Sequence, residues 1–132
     1  MLGRLLGFPD AEGRRELDNV FAGRETLTPE QFYLRYFQSQ GFDQDLVMRI
    51  KVVFDRNIDF DLSRLSGTDD FSKELRFLWD YDSLANVQIV IDLEKEFGVT
   101  ISDAEAESMK TIQTVVEIIV QKVGNRRTLP SN

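Results

Sequence analysis

The stretch that most limits the fold of this chain is the apolar run from Leu84 to Phe97. Leu84, Val87, Val90, Ile91, Leu93 and Phe97 recur at helical spacing, and Ile89 widens the band beyond one stripe. Asp82 or Ser83 can cap the first turn through a side-chain oxygen, and Gly98 stands where a helix ends in the left-handed conformation. The spacing predicts a helix over 85–97 that is apolar on more than one side. A small helical domain needs only one such face for its core, so the surplus calls for a ligand or a partner.

Helical signals recur along the rest of the chain. Residues 11–22 form a short helix with Leu17, Val20 and Phe21 on one side, ended by Gly23. Thr28-Pro29-Glu30-Gln31 is a capping box with proline at the first helical position. The helix it opens carries Phe32, Tyr33, Tyr36 and Phe37 as a core-facing stripe and runs to Gly41. Residues 43–56 follow, with Val47, Ile50, Val53 and Phe54 inward. The long connection from Leu62 to Asp82 holds Leu65, Phe71, Leu75, Phe77, Leu78 and Trp79, too apolar for a free linker, and is expected to tuck onto the helices, with a turn or two of helix over 70–78. Ser102-Asp103-Ala104-Glu105 is a second capping box opening a short helix to Met109. Thr111 caps a last helix with Ile112, Val115, Val116, Ile119 and Val123 inward, closed by Gly124. The fold class is all-α.

Composition removes several function classes. With no cysteine and no histidine, disulfides, thiol nucleophiles, Cys/His zinc sites and a Ser-His-Asp triad are excluded within the chain. A net charge of −7 repels phosphate backbones and anionic lipid, so neither nucleic acid binding nor membrane insertion is expected. Asp55-Arg56-Asn57-Ile58-Asp59 opens like a calcium loop, but Phe60 stands where the turn glycine belongs and Ser66 where a closing glutamate belongs. No metal site is assigned. Met1 to Phe8 is broken by Gly3, Arg4 and Gly7, too short for a secretory segment, and a cytoplasmic location is expected. The carboxylates lie at helix ends and on exposed faces, and no catalytic residue is assigned.

From Asp82-Ser83-Leu84 onward the residues carry a resemblance. With Val87, Leu93-Glu94, Glu96-Phe97, Ile101, Asp103, Glu105-Ala106-Glu107, Met109 and Thr111, the segment from Asp82 to about Val123 resembles the acyl carrier proteins without a gap. The resemblance implies a four-helix bundle over 41–124, preceded by a helical extension over 1–40 that carriers do not usually have and followed by a mobile tail over 125–132. It implies that Ser83 carries 4'-phosphopantetheine, whose thiol holds an acyl or related group as a thioester, with Asp82 and Leu84 beside the attachment point. Asp82 would bind the metal or orient the helix mouth during modification. Val87, Ile91 and Glu94 would meet partners: a phosphopantetheinyl transferase, then acyl-loading and acyl-processing enzymes. The chain departs from the family in two places. Ala85, Asn86, Gln88 and Lys95 occupy positions where acids are common, although Asp92, Glu94 and Glu96 remain, and Arg76 to Tyr81 is an insertion without the usual glycine before the serine. The insertion is expected to put an aromatic shoulder over Ser83. The alternative is a carrier fold that is never modified and serves as a protein-interaction module.

Overall fold

Seven α-helices and a short 3-10 turn succeed one another in the computed structural model, which describes residues 8–128, with side chains over 11–124; there is no strand among the described residues. They are α1 (Phe8–Val20), α2 (Pro29–Tyr36), the 3-10 turn (Gln38–Gln40), α3 (Gln44–Asn57), α4 (Leu78–Tyr81), α5 (Ser83–Phe97), α6 (Asp103–Ser108) and α7 (Ile112–Thr128).

The caps set most of the helix starts. Thr28 Oγ1 accepts the Gln31 N–H at 3.1 Å while the Gln31 side chain accepts the Thr28 N–H at 2.9 Å, which satisfies two donors that α2 would leave open. Asp43 does the same for α3 by accepting the Leu46 N–H at 3.0 Å. Thr111 Oγ1 accepts the Thr114 N–H at 3.0 Å at the head of α7. Each such cap contributes about 1 kcal/mol.

Four boundaries differ from the sequence expectation. α1 starts at Phe8 instead of Ala11 and ends at Val20, with Gly23 at φ +79° turning the chain. The aromatic helix stops at Tyr36, and the chain reaches Gly41 (φ +82°) through the 3-10 turn. Phe32 and Phe37 are five residues apart, so on one continuous helix they would point roughly 140° away from each other. Leaving the helix at Phe37 lets both rings enter the core, 5.5 Å apart. Residues 71–77 form successive turns, and only Leu78–Tyr81 becomes helical. Gly124 does not close α7, which continues to Thr128, because the backbone there never takes the left-handed turn that a terminating glycine supplies. The first four residues of the expected tail are therefore helical, and 129–132 lie outside the described residues.

One core cluster joins everything. α3 lies at the centre and packs on α2, α5 and α7, while α1 packs on α4. Val47, Ile50 and Val53 of α3, Leu93 of α5 and Ile112, Val115 and Ile119 of α7 are fully buried, each worth about 1.5–3 kcal/mol against exposure. Leu17 of α1, Phe21 just beyond its end, and Phe32 and Phe37 from the α2 region are buried in the same cluster. The apolar connection tucks in as expected, with Leu62, Leu65, Phe71, Leu75, Phe77 and Leu78 buried. A fork of hydrogen bonds from Arg24 to the buried Asp69, at 2.6 and 3.1 Å, ties the N-terminal segment to that connection. The Leu27 N–H donates to the Ser63 carbonyl at 2.7 Å, and Arg64 pairs with Asp18. No helix among the described residues is long and apolar enough to cross a membrane.

Candidate functional site

α5 buries Ala85, Ile89, Leu93 and Phe97. All four are spaced by four, a stripe that shows in the sequence only when Ala85 is counted with Ile89, Leu93 and Phe97. Leu84, Val87 and Ile91 point the other way and are 74%, 56% and 37% exposed. The surplus apolar surface foreseen from the sequence is therefore real and lies toward solvent.

The mouth of α5 is built by Asp82. This residue is the only one between α4 and α5, and its Oδ1 accepts the Leu84 N–H at 3.2 Å. Its carbonyl accepts the Ala85 N–H at 3.2 Å. Because Asp82 makes the cap, the exposed Ser83, first residue of the helix, is left with its hydroxyl outside the capping scheme. The first turn of a helix carries open N–H donors and the positive end of the macrodipole, a favourable setting for an anionic group on that oxygen.

The insertion before Asp82 does not roof over the serine. Phe77 and Leu78 are buried, and Trp79 turns back to donate its indole N–H to the Phe71 carbonyl at 3.1 Å, ring centroids 5.6 Å apart. The expected shoulder becomes internal packing of the connection. Tyr81 sets its ring edge-on to Phe60 at 5.5 Å.

Beside the exposed face of α5 runs a groove of about 270 Å³, lined by Asn86, Val87, Val90 and Ile91 and, across from them, by Asp103, Ala106 and Glu107 of α6. Its floor is apolar and its far rim acidic. The α6 wall is fixed by its own capping box, with the Glu105 N–H donated to Ser102 Oγ at 3.1 Å, and by the Lys122–Glu105 ion pair at 2.9 Å. The Ser102 N–H, and after it Lys122, hold the Glu105 carboxyl below its ordinary range. Sequence reading missed this groove, since neither Ala106 nor Val90 announces a cavity.

The acids of α5 are engaged within the molecule. Asp92 accepts hydrogen bonds from Asn57 at 2.9 Å and Gln88 at 2.8 Å and faces Arg56; these contacts, Asn57 first, keep its carboxyl below the usual range. Glu94 accepts the Ile101 N–H at 2.8 Å, pinning the link after Gly98, the αL terminus of α5. Glu96 accepts from Arg49 Nε at 2.8 Å, and Arg49 also donates to the Glu96 carbonyl and lies over the Phe97 ring. Thus Ser83, Leu84, Val87 and Ile91 share one open side of α5, while Glu94 is occupied at its far end.

Comparison with known proteins gives the family. The family profile described as "Phosphopantetheine attachment site" matches residues 49–119. The chain is similar to the acyl carrier protein of Thermosynechococcus vestitus, 33% identical over 79 residues, covering 60% of this chain and 93% of that one. It is similar to the polyketide-8 synthase acyl carrier protein 2 of Streptomyces avermitilis, 34% identical over 70 residues, 53% of this chain and 76% of the relative. The acyl carrier protein of a Picosynechococcus species is 33% identical over 82 residues, 62% and 96% of the two chains. No solved structure matches.

Proposed function

The chain belongs to the phosphopantetheine-bearing acyl carrier protein family, and from that premise we propose that Ser83 is the residue on which the arm is built. A member of this family is a carrier and not a catalyst, holding its cargo on covalently attached 4'-phosphopantetheine and passing it among synthase and processing enzymes. The observation that carries the assignment is the exposed Ser83 at the first position of α5, its hydroxyl left free of capping by Asp82 and followed by exposed Leu84.

In the transfer the Ser83 oxygen attacks the phosphorus that bears pantetheine in coenzyme A. The phosphoanhydride bond breaks, the adenosine bisphosphate leaves, and the serine proton passes to a base. That base belongs to a phosphopantetheinyl transferase, because this chain holds no histidine beside the serine. The resulting phosphodiester sits in the first turn of α5, where the helix dipole favours negative charge. Asp82, whose Oδ1 accepts the Leu84 N–H, also offers its carboxylate to the transferase's metal.

The groove between α5 and α6 shelters the arm or the start of its acyl chain, and Leu84, Val87 and Ile91 form the contact face for partner enzymes. Glu94 serves the partner face at its edge, through whatever charge its bond to Ile101 leaves open. Residues 1–40 form an extension to a carrier domain over 41–124, working in the cytoplasm, without nucleic acid or membrane insertion. By analogy with the named relatives, the cargo belongs to fatty acid or polyketide synthesis.

Intact mass of the purified protein tests the assignment after incubation with coenzyme A, magnesium and a broad-specificity phosphopantetheinyl transferase. Wild type should gain one phosphopantetheine, and Ser83→Ala should stay folded and gain nothing. A gain on Ser83→Ala would remove the serine from the reading. No gain on wild type, with a known carrier modified in the same tube, would favour an unmodified interaction module.

A further inference from the structure

Two glycines in the described chain are needed for space and not for backbone angle. Gly13, on α1, is buried, and a Cβ there would stand 2.6 Å from the Phe60 ring and 3.2 Å from the Tyr81 ring. Gly67, in the connection, would place a Cβ 3.2 Å from the Phe37 ring. Neither has the positive φ that marks Gly23, Gly41 and Gly98. Both therefore mark places where the N-terminal helices and the serine-bearing connection are pressed together.

The Gly13 contact leads to the serine. Phe60 and Tyr81 meet edge to face, and α1 packs on α4, whose last residue is Tyr81. One residue, Asp82, then joins α4 to α5. With only that joint between them, the tilt of α4 sets the direction in which Asp82 offers its cap and Ser83 its hydroxyl. Within α4, Leu78 is buried in the core and Trp79 donates to the Phe71 carbonyl, while Tyr81 meets the Phe60 ring and lies 3.2 Å from where a Cβ on Gly13 would stand.

We infer that Gly13, Phe60 and Tyr81 form a positioning relay by which the N-terminal helix α1 sets the geometry of the Asp82–Ser83 mouth for phosphopantetheine transfer. The inference rests on Ser83 being the attachment residue. The relay touches neither coenzyme A nor the exposed face of α5, so it acts on the orientation of the oxygen and leaves docking alone. A side chain at position 13 must push Phe60 aside, and Phe60 in turn meets Tyr81.

The test measures transfer kinetics with the carrier as the varied substrate, for wild type, Gly13→Leu and Phe60→Leu. Gly13→Leu should lower kcat about tenfold with KM for the carrier unchanged, and Phe60→Leu, which removes the ring that meets Tyr81, should lower kcat in the same direction. Amide resonances of Asp82, Ser83 and Leu84 should shift in Gly13→Leu, and those of Val115 and Ile119 in α7 should stay. A folded Gly13→Leu with wild-type kcat and unmoved Asp82–Leu84 resonances overturns the relay. If circular dichroism shows that Gly13→Leu has lost its fold, Tyr81→Leu, which adds no volume, carries the same kcat and resonance expectations. Absence of transfer to wild type would overturn the Ser83 assignment instead, and the resonances would still decide the relay.

Discussion

The serine helix has one neighbour region anchored deep in the core and another resting on its surface. The N-terminal segment sends Leu17, Phe21, Phe32 and Phe37 into the common core and adds the Arg24–Asp69 fork. α6, the outer wall of the groove, buries none of its residues and is held by a capping box, one ion pair and the half-buried Ala106 and Met109. The N-terminal segment, which precedes the residues that the family profile matches, is thus the firmly held part, and the groove wall that lies within them is the loosely held one. Few buried apolar contacts mean a low free energy of local opening. Under the proposed shelter for the arm, the groove would have its give on that side.

The contrast can be broken or sharpened by mutation. The largest effect is expected at Phe37, fully buried between Phe32 and Phe42 and against Gly67. Phe37→Ala should cost about 3–5 kcal/mol in denaturant unfolding, with a single transition for the whole molecule. A cost below about 1 kcal/mol, or a separate early transition, would show the N-terminal segment to be a detachable appendage. Arg24→Ala comes next, because it leaves the Asp69 charge buried without its main partner. About 1–2 kcal/mol is expected, after discounting a guanidinium that reaches solvent. Ser102→Ala removes the α6 cap and should cost about 1 kcal/mol, read as faster amide exchange in α6 with α1 and α2 unchanged. Equal loss of protection in all three would refute the contrast.

The smallest effect concerns acid. The Glu105 carboxyl is held low by the Ser102 N–H and by Lys122. A carboxylate with a depressed folded pKa contributes stability above its unfolded value and loses that contribution as pH falls through the folded one. Protection of α6 amides should therefore decline below about pH 4, before that of α2. Glu105→Gln should remove that pH dependence.

Most of the fold was legible because its signals are local. The capping boxes at Thr28 and Ser102, the cap at Thr111 and the αL glycine at 98 are read within four residues of where they act. Apolar spacing placed Val47, Ile50 and Val53 inside without outside help. What escaped depends on distant partners. Phe37 leaves its helix to reach Gly67 and Phe42, and residues 71–77 run as turns, with the Phe71 N–H donated to the distant Lys110 carbonyl. Gly124 looked like a terminator from composition alone, yet α7 runs through it. At the site, Ser83 and the outward set of Leu84, Val87 and Ile91 were readable from one helix. The groove was not, since it exists only where α6 comes to lie beside Val90 and Ile91.

The internal engagement of Asp92, Glu94 and Glu96 bears on how partners find this protein. Asp92 and Glu96 face Arg56 and Arg49, and charges paired at short range send less field into solvent than free carboxylates, so these two acids draw an approaching basic surface weakly. Encounter along this face then proceeds at the rate of ordinary collision, changing little with added salt, and the choice among enzymes is made after contact. Residence time on Leu84, Val87 and Ile91, more than speed of arrival, would decide which enzyme receives the cargo.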